Sequence, residues 1–160
     1  MQIKSYEEKY CDQLTKLILG VQQDEFDVAI TLDDQPDLTD IPGHYFDGKG
    51  HFWVAVQDDV VIGTIAVLFL ENGHAAIRKL FTDANFRGKE YQTGQKLLDA
   101  LEAFCAENGK NAIYLGTTDK FKAAHRFYEK NGYEEINKTD LPADFHILAV
   151  DSKFYRKNVK

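Results

Sequence analysis

Cysteines and long apolar runs are scarce in this chain of 160 residues. The two cysteines, Cys11 and Cys105, lie far apart and have no CxxC spacing, which argues against a zinc site and indicates reduced core thiols. No apolar run approaches the roughly 20 residues that cross a bilayer, and the N-terminus lacks the basic-then-apolar order of a signal peptide. We therefore expect no membrane partner and a cytoplasmic location.

Basic residues are also in deficit. Nineteen lysines and arginines stand against 26 aspartates and glutamates, which gives a net charge of −7. Because this charge opposes contact with a phosphate backbone, we expect no nucleic-acid partner. Hydrophobic residues make up 44% and charged residues 28%, the balance of a globular protein. The length fits one domain that spans residues 1–160.

The spacing of apolar residues predicts alternating strands and helices. Helices are predicted over residues 7–19, 97–105 and 120–132, with a C-terminal glycine at the end of the last one. Residues 20–50 favour loops and short helical turns. The predicted strands cover residues 2–6, 51–57, 60–70, 73–81, 112–117, 133–136 and 145–151. This order indicates a mixed sheet with helices on its faces.

A polar turn that bears glycine runs directly into an amphipathic helix within residues 85–109. The first N–H groups of a helix have no intrahelical acceptor and carry partial positive charge, so a phosphate can bind there. Gly88 and Gly94 would let the backbone approach a ligand, and Arg87 and Lys89 would add charge. The alternative interpretation is an ordinary turn before a helix.

A second motif, AAHRFYEKNGY, covers residues 123–133. It looks like the A-x-x-F-Y-x-x-x-G-F segment of the GCN5-related N-acetyltransferase (GNAT) superfamily. The family's first motif, Q/R-x-x-G-x-G/A, falls on residues 89–94, where its final glycine is Gly94. Alternatively, Arg87 and Gly88 are the family's arginine–glycine pair, with a loop that is two residues longer. Together with the order of elements, these motifs make nearly the whole chain resemble this superfamily.

The resemblance implies an α/β fold with a mixed, mostly antiparallel central sheet of six to seven strands flanked by helices. It also implies acetyl-CoA as co-substrate, no metal, and direct transfer of the acetyl group to a primary amine of a small molecule or a peptide. Tyr128 would be the catalytic acid, since a phenol stays protonated at neutral pH. The implied cofactor-binding residues are Leu80, Phe81, Thr82, Arg87, Gly88, Lys89, Glu90, Tyr91, Gln92, Thr93, Gly94 and Gln95.

The chain departs from the family pattern in three ways. The middle glycine of the first motif is replaced by Gln92 or Glu90, depending on the alignment. Phe121 stands where many relatives carry an asparagine. The strand before the turn offers no general base, so His74, Glu71, or a relay of water and backbone carbonyls are the alternatives. A backbone N–H near Phe81 would polarise the thioester carbonyl.

Acidic residues crowd the segment before the sheet, including Asp33, Asp34, Asp37 and Asp40. They are either a solvated surface or a cleft mouth that attracts a cationic amine. We also expect His125 at the surface and Trp53 in the core.

Two other functions stay open at this point. One is a module that binds acetyl-CoA as a sensor without turnover, and the other is an unrelated nucleotide- or phosphate-binding domain. Neither a Walker lysine motif nor GxGxxG supports the second. The sequence also leaves the oligomeric state open, a homodimer included.

Overall fold

The computed structural model describes residues 1–159 as one mixed sheet with helices on both faces. Its strands are β1 (Gln2–Ser5), β2 (Gly50–Gln57), β3 (Val60–Phe69), β4 (His74–Thr82), β5 (Ala112–Thr117), β6 (Glu134–Ile136) and β7 (Lys153–Asn158). Its α-helices are α1 (Cys11–Leu19), α2 (Ile41–Tyr45), α3 (Thr93–Glu107) and α4 (Lys122–Lys130).

The seven strands lie in the order β1-β2-β3-β4-β5-β7-β6. All neighbours are antiparallel except β4 and β5, which are parallel. The fold class expected from the sequence is therefore confirmed. The parallel pair lies in the middle of the sheet, where β4 crosses over to β5 through α3.

Alternating side chains of β2 divide the core into two layers. Phe52 and Val54 pack with α1 and α2 on one face, whereas Trp53 and Ala55 pack with α3 and α4 on the other. Successive strand residues point to opposite faces, and both faces are covered, so β2 is apolar throughout. Trp53 is a core residue, as the sequence predicted.

Both α3 and α4 are followed by a glycine, and the one after α4 is the C-terminal glycine that the sequence predicted. Gly109 after α3 and Gly132 after α4 both have positive φ, at 72° and 90°. After α4, the Tyr133 N–H bonds to the Tyr128 carbonyl at 3.0 Å, which satisfies a carbonyl at the helix end. This contact fixes the place of Tyr128 relative to the strand that follows.

The predicted strand over residues 145–151 is wrong, because this segment is a loop with a turn at residues 149–150. The carboxylate of Asp151 accepts the Leu148 N–H at 3.0 Å, and the Asp151 N–H bonds to the Leu148 carbonyl at 3.0 Å. The last strand is β7, two residues further on. Its basic residues mask the strand pattern, since the Arg156 and Lys157 heads bond to side chains of other elements at the sheet surface.

Residues 20–50 hold short helical turns and loop, as expected. A π-helical turn (Gly20–Glu25) follows α1, and a 3-10 turn (Pro36–Thr39) precedes α2. No helix within residues 1–159 combines the length and apolar character needed for a membrane crossing.

Candidate active site

A cavity of about 470 Å³ opens between β4 and β5. The two strands pair at only three positions, from His74 opposite Ala112 to Ala76 opposite Tyr114. Beyond that point they diverge, and residues 77–82 and 115–117 line the cavity. Backbone groups on the diverging edges have no strand partner across the gap, so a ligand can bind them.

A β-bulge bends β4 at this cavity. Lys79 and Leu80 lie opposite a single residue of β3 where the register shifts. Lys79 has a φ of 56°, and its carbonyl accepts a hydrogen bond from Thr64 Oγ1 at 2.6 Å. Because a bulge bends its strand and re-aims side chains, this one accounts for the divergence of β4 from β5.

The first turn of α3 faces the same cavity. Its first hydrogen bond runs from the Lys96 N–H to the Gln92 carbonyl at 2.9 Å, and Gln92 provides no side-chain cap. The N–H groups of Thr93, Gly94 and Gln95 therefore have no intrahelical acceptor, and all three residues line the cavity. This arrangement can bind a phosphate group.

Glycine serves two different purposes in this turn. Gly88 has a φ of 97°, a conformation that other residues rarely adopt. Gly94 leaves room, since a Cβ there would lie 3.8 Å from Phe127 and 3.9 Å from Thr82. These are ordinary contacts, so the protein itself does not require glycine at position 94.

Arg87 is half-buried, and its guanidinium is bound by other groups of the protein. Its guanidinium donates to the Thr82 carbonyl at 2.9 and 2.7 Å and forms a bidentate ion pair with Glu25. The charge expected at the cavity mouth is thus balanced by Glu25. Lys89 is exposed beside it and pairs with no carboxylate of residues 1–159.

Tyr128 lines the cavity from α4 and is 6% exposed. Its ring packs against Tyr133 and Tyr155, with centroids 5.8 and 5.9 Å away. Burial raises the pKa of Tyr128, and Tyr155 adds to this, so the phenol stays protonated. Its hydroxyl has no hydrogen-bond partner among residues 1–159 and is not sealed from the cavity. The group is therefore available as a proton donor.

Phe121 replaces the asparagine of many relatives with an aromatic contact. Its ring lies 4.9 Å from Phe26 and 6.2 Å from Phe81, both nearly edge-on, and all three line the cavity. The wall is thus apolar at this point.

Most of the predicted site residues line this one cavity. Those that line it are Leu80, Phe81, Thr82, Arg87, Gly88, Lys89, Gln92, Thr93, Gly94, Gln95 and Tyr128. Glu90 and Tyr91 lie outside it: Glu90 is exposed, and Tyr91 packs against Phe86 at a centroid distance of 5.2 Å.

The histidine and glutamate considered as bases are remote. His74 and Glu71 lie at the opposite end of β4, and neither lines the cavity. The expectation for His125 is also wrong, because this residue is 9% exposed and its Nε2 lies 2.9 Å from the Thr118 carbonyl. The residue faces the sheet because it lies three positions before Tyr128 on the same helix.

Asp151 is the functional candidate that the sequence did not single out. It is the only carboxylate among the described residues that line the cavity. Burial raises its pKa, against the opposing effects of the Leu148 N–H, Arg78, His146 and Lys79. A carboxylate with a raised pKa in a cleft is a candidate acid or base. It was missed because the turn that positions it looked like a strand.

The acidic segment does not form a row of free charges. Asp34 accepts from Thr31, Asp40 caps α2 through the Gly43 N–H, and Asp37 accepts from Tyr45 at 2.5 Å. None of these aspartates lines the cavity. Asp33 is exposed. Across residues 1–159, His, Cys, Asp and Glu side chains form no group of three or more that could hold a metal ion.

Comparisons with known proteins agree with this fold. Over 119 residues the chain is 35% identical to an N-acetylaspartate synthetase of Xenopus tropicalis. The aligned region covers 70% of this chain and 42% of that protein. The chain therefore spans less than half the length of that relative.

Two solved structures match along the full length. An acetyltransferase of the GNAT family from Staphylococcus aureus Mu50 is 41% identical, with a TM-score of 0.96 over 99% of both chains. An acetyltransferase from Streptococcus agalactiae 2603 is 33% identical, with a TM-score of 0.94 over 98% of this chain and 97% of that one. The model of the acetyltransferase (GNAT) family matches residues 15–133. The chain belongs to the acetyltransferase (GNAT) family.

Proposed function

We propose that this protein is an N-acetyltransferase that moves an acetyl group directly from acetyl-CoA to a primary amine of a small molecule or a peptide. One observation carries the proposal: a single cavity joins the open first turn of α3 to the hydroxyl of Tyr128. A thioester with a phosphate-bearing tail needs both groups, one at each end.

Residues 88–95 would hold the pyrophosphate through the free N–H groups at the start of α3. The unpaired edge of β4 at residues 80–82 would hold the amides of the pantetheine arm, as an added strand does. Bound there, acetyl-CoA supplies an activated acetyl group. Gly94 fits this role because the space beside it is open.

Three groups of the chain would then carry the chemistry. Asp151 takes one proton from the ammonium form of the acceptor, directly or through water, which frees the nitrogen lone pair to attack the acetyl carbon. A backbone N–H of β4 near Phe81 stabilises the oxyanion. Tyr128 donates its proton to the sulfur as the carbon–sulfur bond breaks. The nitrogen loses its second proton to solvent as the amide forms. Tyr128 then recovers a proton from solvent, and Asp151 releases its proton to solvent, so that one proton is released in each turnover.

The acceptor belongs to the amines, and the relatives suggest where to begin. The Xenopus tropicalis relative is named for the synthesis of N-acetylaspartate, so aspartate and other amino acids belong in a first panel. Peptides, polyamines and aminoglycosides complete it, since a cationic amine is one of the alternatives that the acidic segment leaves open.

Release of free thiol from acetyl-CoA tests the proposal. We expect release that depends on both the protein and an amine, with the N-acetyl product confirmed by mass spectrometry. Calorimetry on the same protein measures acetyl-CoA binding. Tight binding with no amine-dependent release across the panel would contradict the proposal and assign the sensor function instead.

A further inference from the structure

The guanidinium of Arg78 is a half-buried cation on β4 that lines the cavity. Its Nη2 donates to the His146 carbonyl at 2.7 Å, and its Cζ lies 4.9 Å from the centre of the Phe145 ring. No carboxylate of residues 1–159 lies within 4.0 Å of it. Its position is therefore fixed by neutral groups, and its charge is not paired.

The rest of this guanidinium is free of partners within the described part of the chain, and Arg78 lines the cavity. One of its five N–H groups is used by His146, and the others have no acceptor among residues 1–159. None of its nitrogens is both sealed from solvent and without a partner. A planar group with free donors in a fixed orientation matches the two oxygens of a carboxylate.

Neighbouring charges leave this position open for a ligand. Lys79 is committed elsewhere, with its Nζ 2.5 Å from Gln35 Oε1 and 3.6 Å from Asp37. Asp37 is also bound by Tyr45. Of the charged groups that act on Arg78, only Asp151 also lines the cavity without an ion-pair partner. Arg78 and Asp151 thus both line the cavity, but no oxygen of Asp151 lies within 4.0 Å of the Arg78 guanidinium, so the two do not form an ion pair with each other.

Along β4, Arg78 lies further than Leu80 from the end of the strand that leads into the phosphate turn. It precedes Thr82, the last residue of β4, by four positions, with the bulge at Lys79 and Leu80 between them. Between them lies Leu80, within the part of β4 proposed to hold the pantetheine arm. Arg78 and Asp151 are therefore on the acceptor side.

We propose that Arg78 binds a carboxylate of the acceptor while Asp151 receives its amine, so that the substrate is an amino acid or another small amine bearing a carboxylate. This inference rests on the proposed function, since it assigns the second substrate of the same cavity. It also replaces the cationic acceptor suggested by the acidic segment, whose carboxylates are bound within the protein or lie outside the cavity.

Matched pairs of acceptors test this on the native enzyme. Each amino acid is compared with its carboxamide, for example aspartate with its diamide and glycine with glycinamide, with spermidine as a cationic amine. The carboxylates should have a kcat/KM roughly ten- to a hundredfold higher, the range of a charge-assisted hydrogen bond. Equal values for acids and amides, or a preference for spermidine, would overturn the inference.

Variants then locate the effect. Arg78→Gln should raise KM for the carboxylate acceptors and leave KM for the carboxamides unchanged, so the difference in kcat/KM between the two classes should disappear. Arg78→Lys should restore part of that difference. Arg126→Gln is the matched control, because Arg126 is exposed on α4 and does not line the cavity. A difference that persists in Arg78→Gln would overturn the assignment to Arg78.

The two proposals fail differently. If no amine in the panel releases thiol, the acetyltransferase function itself is wrong. If amines release thiol but the carboxylate acceptors have no higher kcat/KM than their carboxamides, the acetyltransferase function is supported and the role assigned to Arg78 is wrong. Acetyl-CoA affinity should be unchanged in Arg78→Gln, which separates loss of acceptor binding from loss of the cavity.

Discussion

The hydroxyl of Tyr128 can be removed without changing the ring that packs against Tyr133 and Tyr155. In Tyr128→Phe we expect turnover to fall roughly ten- to a thousandfold, because the leaving thiolate loses its proton donor. Acetyl-CoA affinity should hardly change. Steady-state kinetics and calorimetry measure the two quantities.

Tyr133→Phe is the matched control for that variant. The Tyr133 hydroxyl donates to Glu102 at 2.8 Å, and Tyr133 does not line the cavity. The turnover of Tyr133→Phe should therefore stay near that of the parent protein. Equal turnover in Tyr128→Phe and the parent, with chemistry rate-limiting, would reduce Tyr128 to a packing residue.

Asp151 should affect activity in a way that depends on pH. In Asp151→Asn we expect turnover at neutral pH to fall roughly a hundred- to ten-thousandfold, because the ammonium form of the acceptor keeps its proton. The deficit should narrow as the pH approaches the pKa of the free amine, where solvent removes that proton. A deficit independent of pH would argue against a role as base.

The same substitution should raise the stability of the fold at neutral pH, although it lowers turnover. The folded-state pKa of Asp151 is raised above its ordinary value of 3.8, so the protonated form stabilises the fold at low pH and this stabilisation is lost as the pH rises through the folded pKa. Asparagine resembles the protonated form. We therefore expect a higher Tm for Asp151→Asn at pH 7 and a smaller difference toward pH 4. A lower Tm at pH 7 would contradict this.

At the scale of the element, the start of α3 can be tested through Gly94. A methyl group at this position meets no atom of the protein closer than 3.8 Å, so Gly94→Ala should fold normally. If a ligand occupies that space, the methyl group should weaken acetyl-CoA binding roughly tenfold or more, as filling a packed contact does. Calorimetry and a thermal melt measure affinity and folding. Unchanged affinity would move the pyrophosphate away from this turn.

Local patterns explain which elements the sequence predicts correctly. The start of α3 can be predicted from the sequence because glycines, a polar turn and an apolar stripe follow one another within residues 85–109. The position of Tyr128 on a helix can be predicted because that helix ends at Gly132 within the same motif. The family resemblance and the fold class are both confirmed.

What the sequence did not predict depends on contacts between distant segments. Asp151 faces the cavity only because a turn replaces the expected strand and because β7 pairs with β5. Glu25 pairs with Arg87 across 62 positions of the chain. Asp37 and Tyr45 meet through the packing of α2. No periodicity within a single segment encodes such pairings, so neither the acid of the cavity nor the neutralised arginine was foreseen.

At the scale of the whole molecule, acetyl-CoA should stabilise the fold measurably. A ligand at a hundred times its Kd adds about 2.7 kcal/mol. For a domain of this size that corresponds to a rise in Tm of roughly 5 to 11 °C. Differential scanning fluorimetry with and without acetyl-CoA measures it, and Gly94→Ala at the same concentration should give a smaller rise. No rise in the parent protein would contradict binding to the folded state.

The short pairing between β4 and β5 has a consequence for engineering. The α3 start and β4 come before the exposed turn at Asn108 and Gly109, whereas β5, α4 and β7 come after it. The two walls of the cavity thus belong to different stretches of chain. Between β4 and β5, the sheet joins these stretches through three pairs of residues. If acyl-CoA binds as proposed, it would bridge the two fragments of a chain divided at that turn and favour their reassembly, which is the behaviour needed of a split reporter for thioester metabolites.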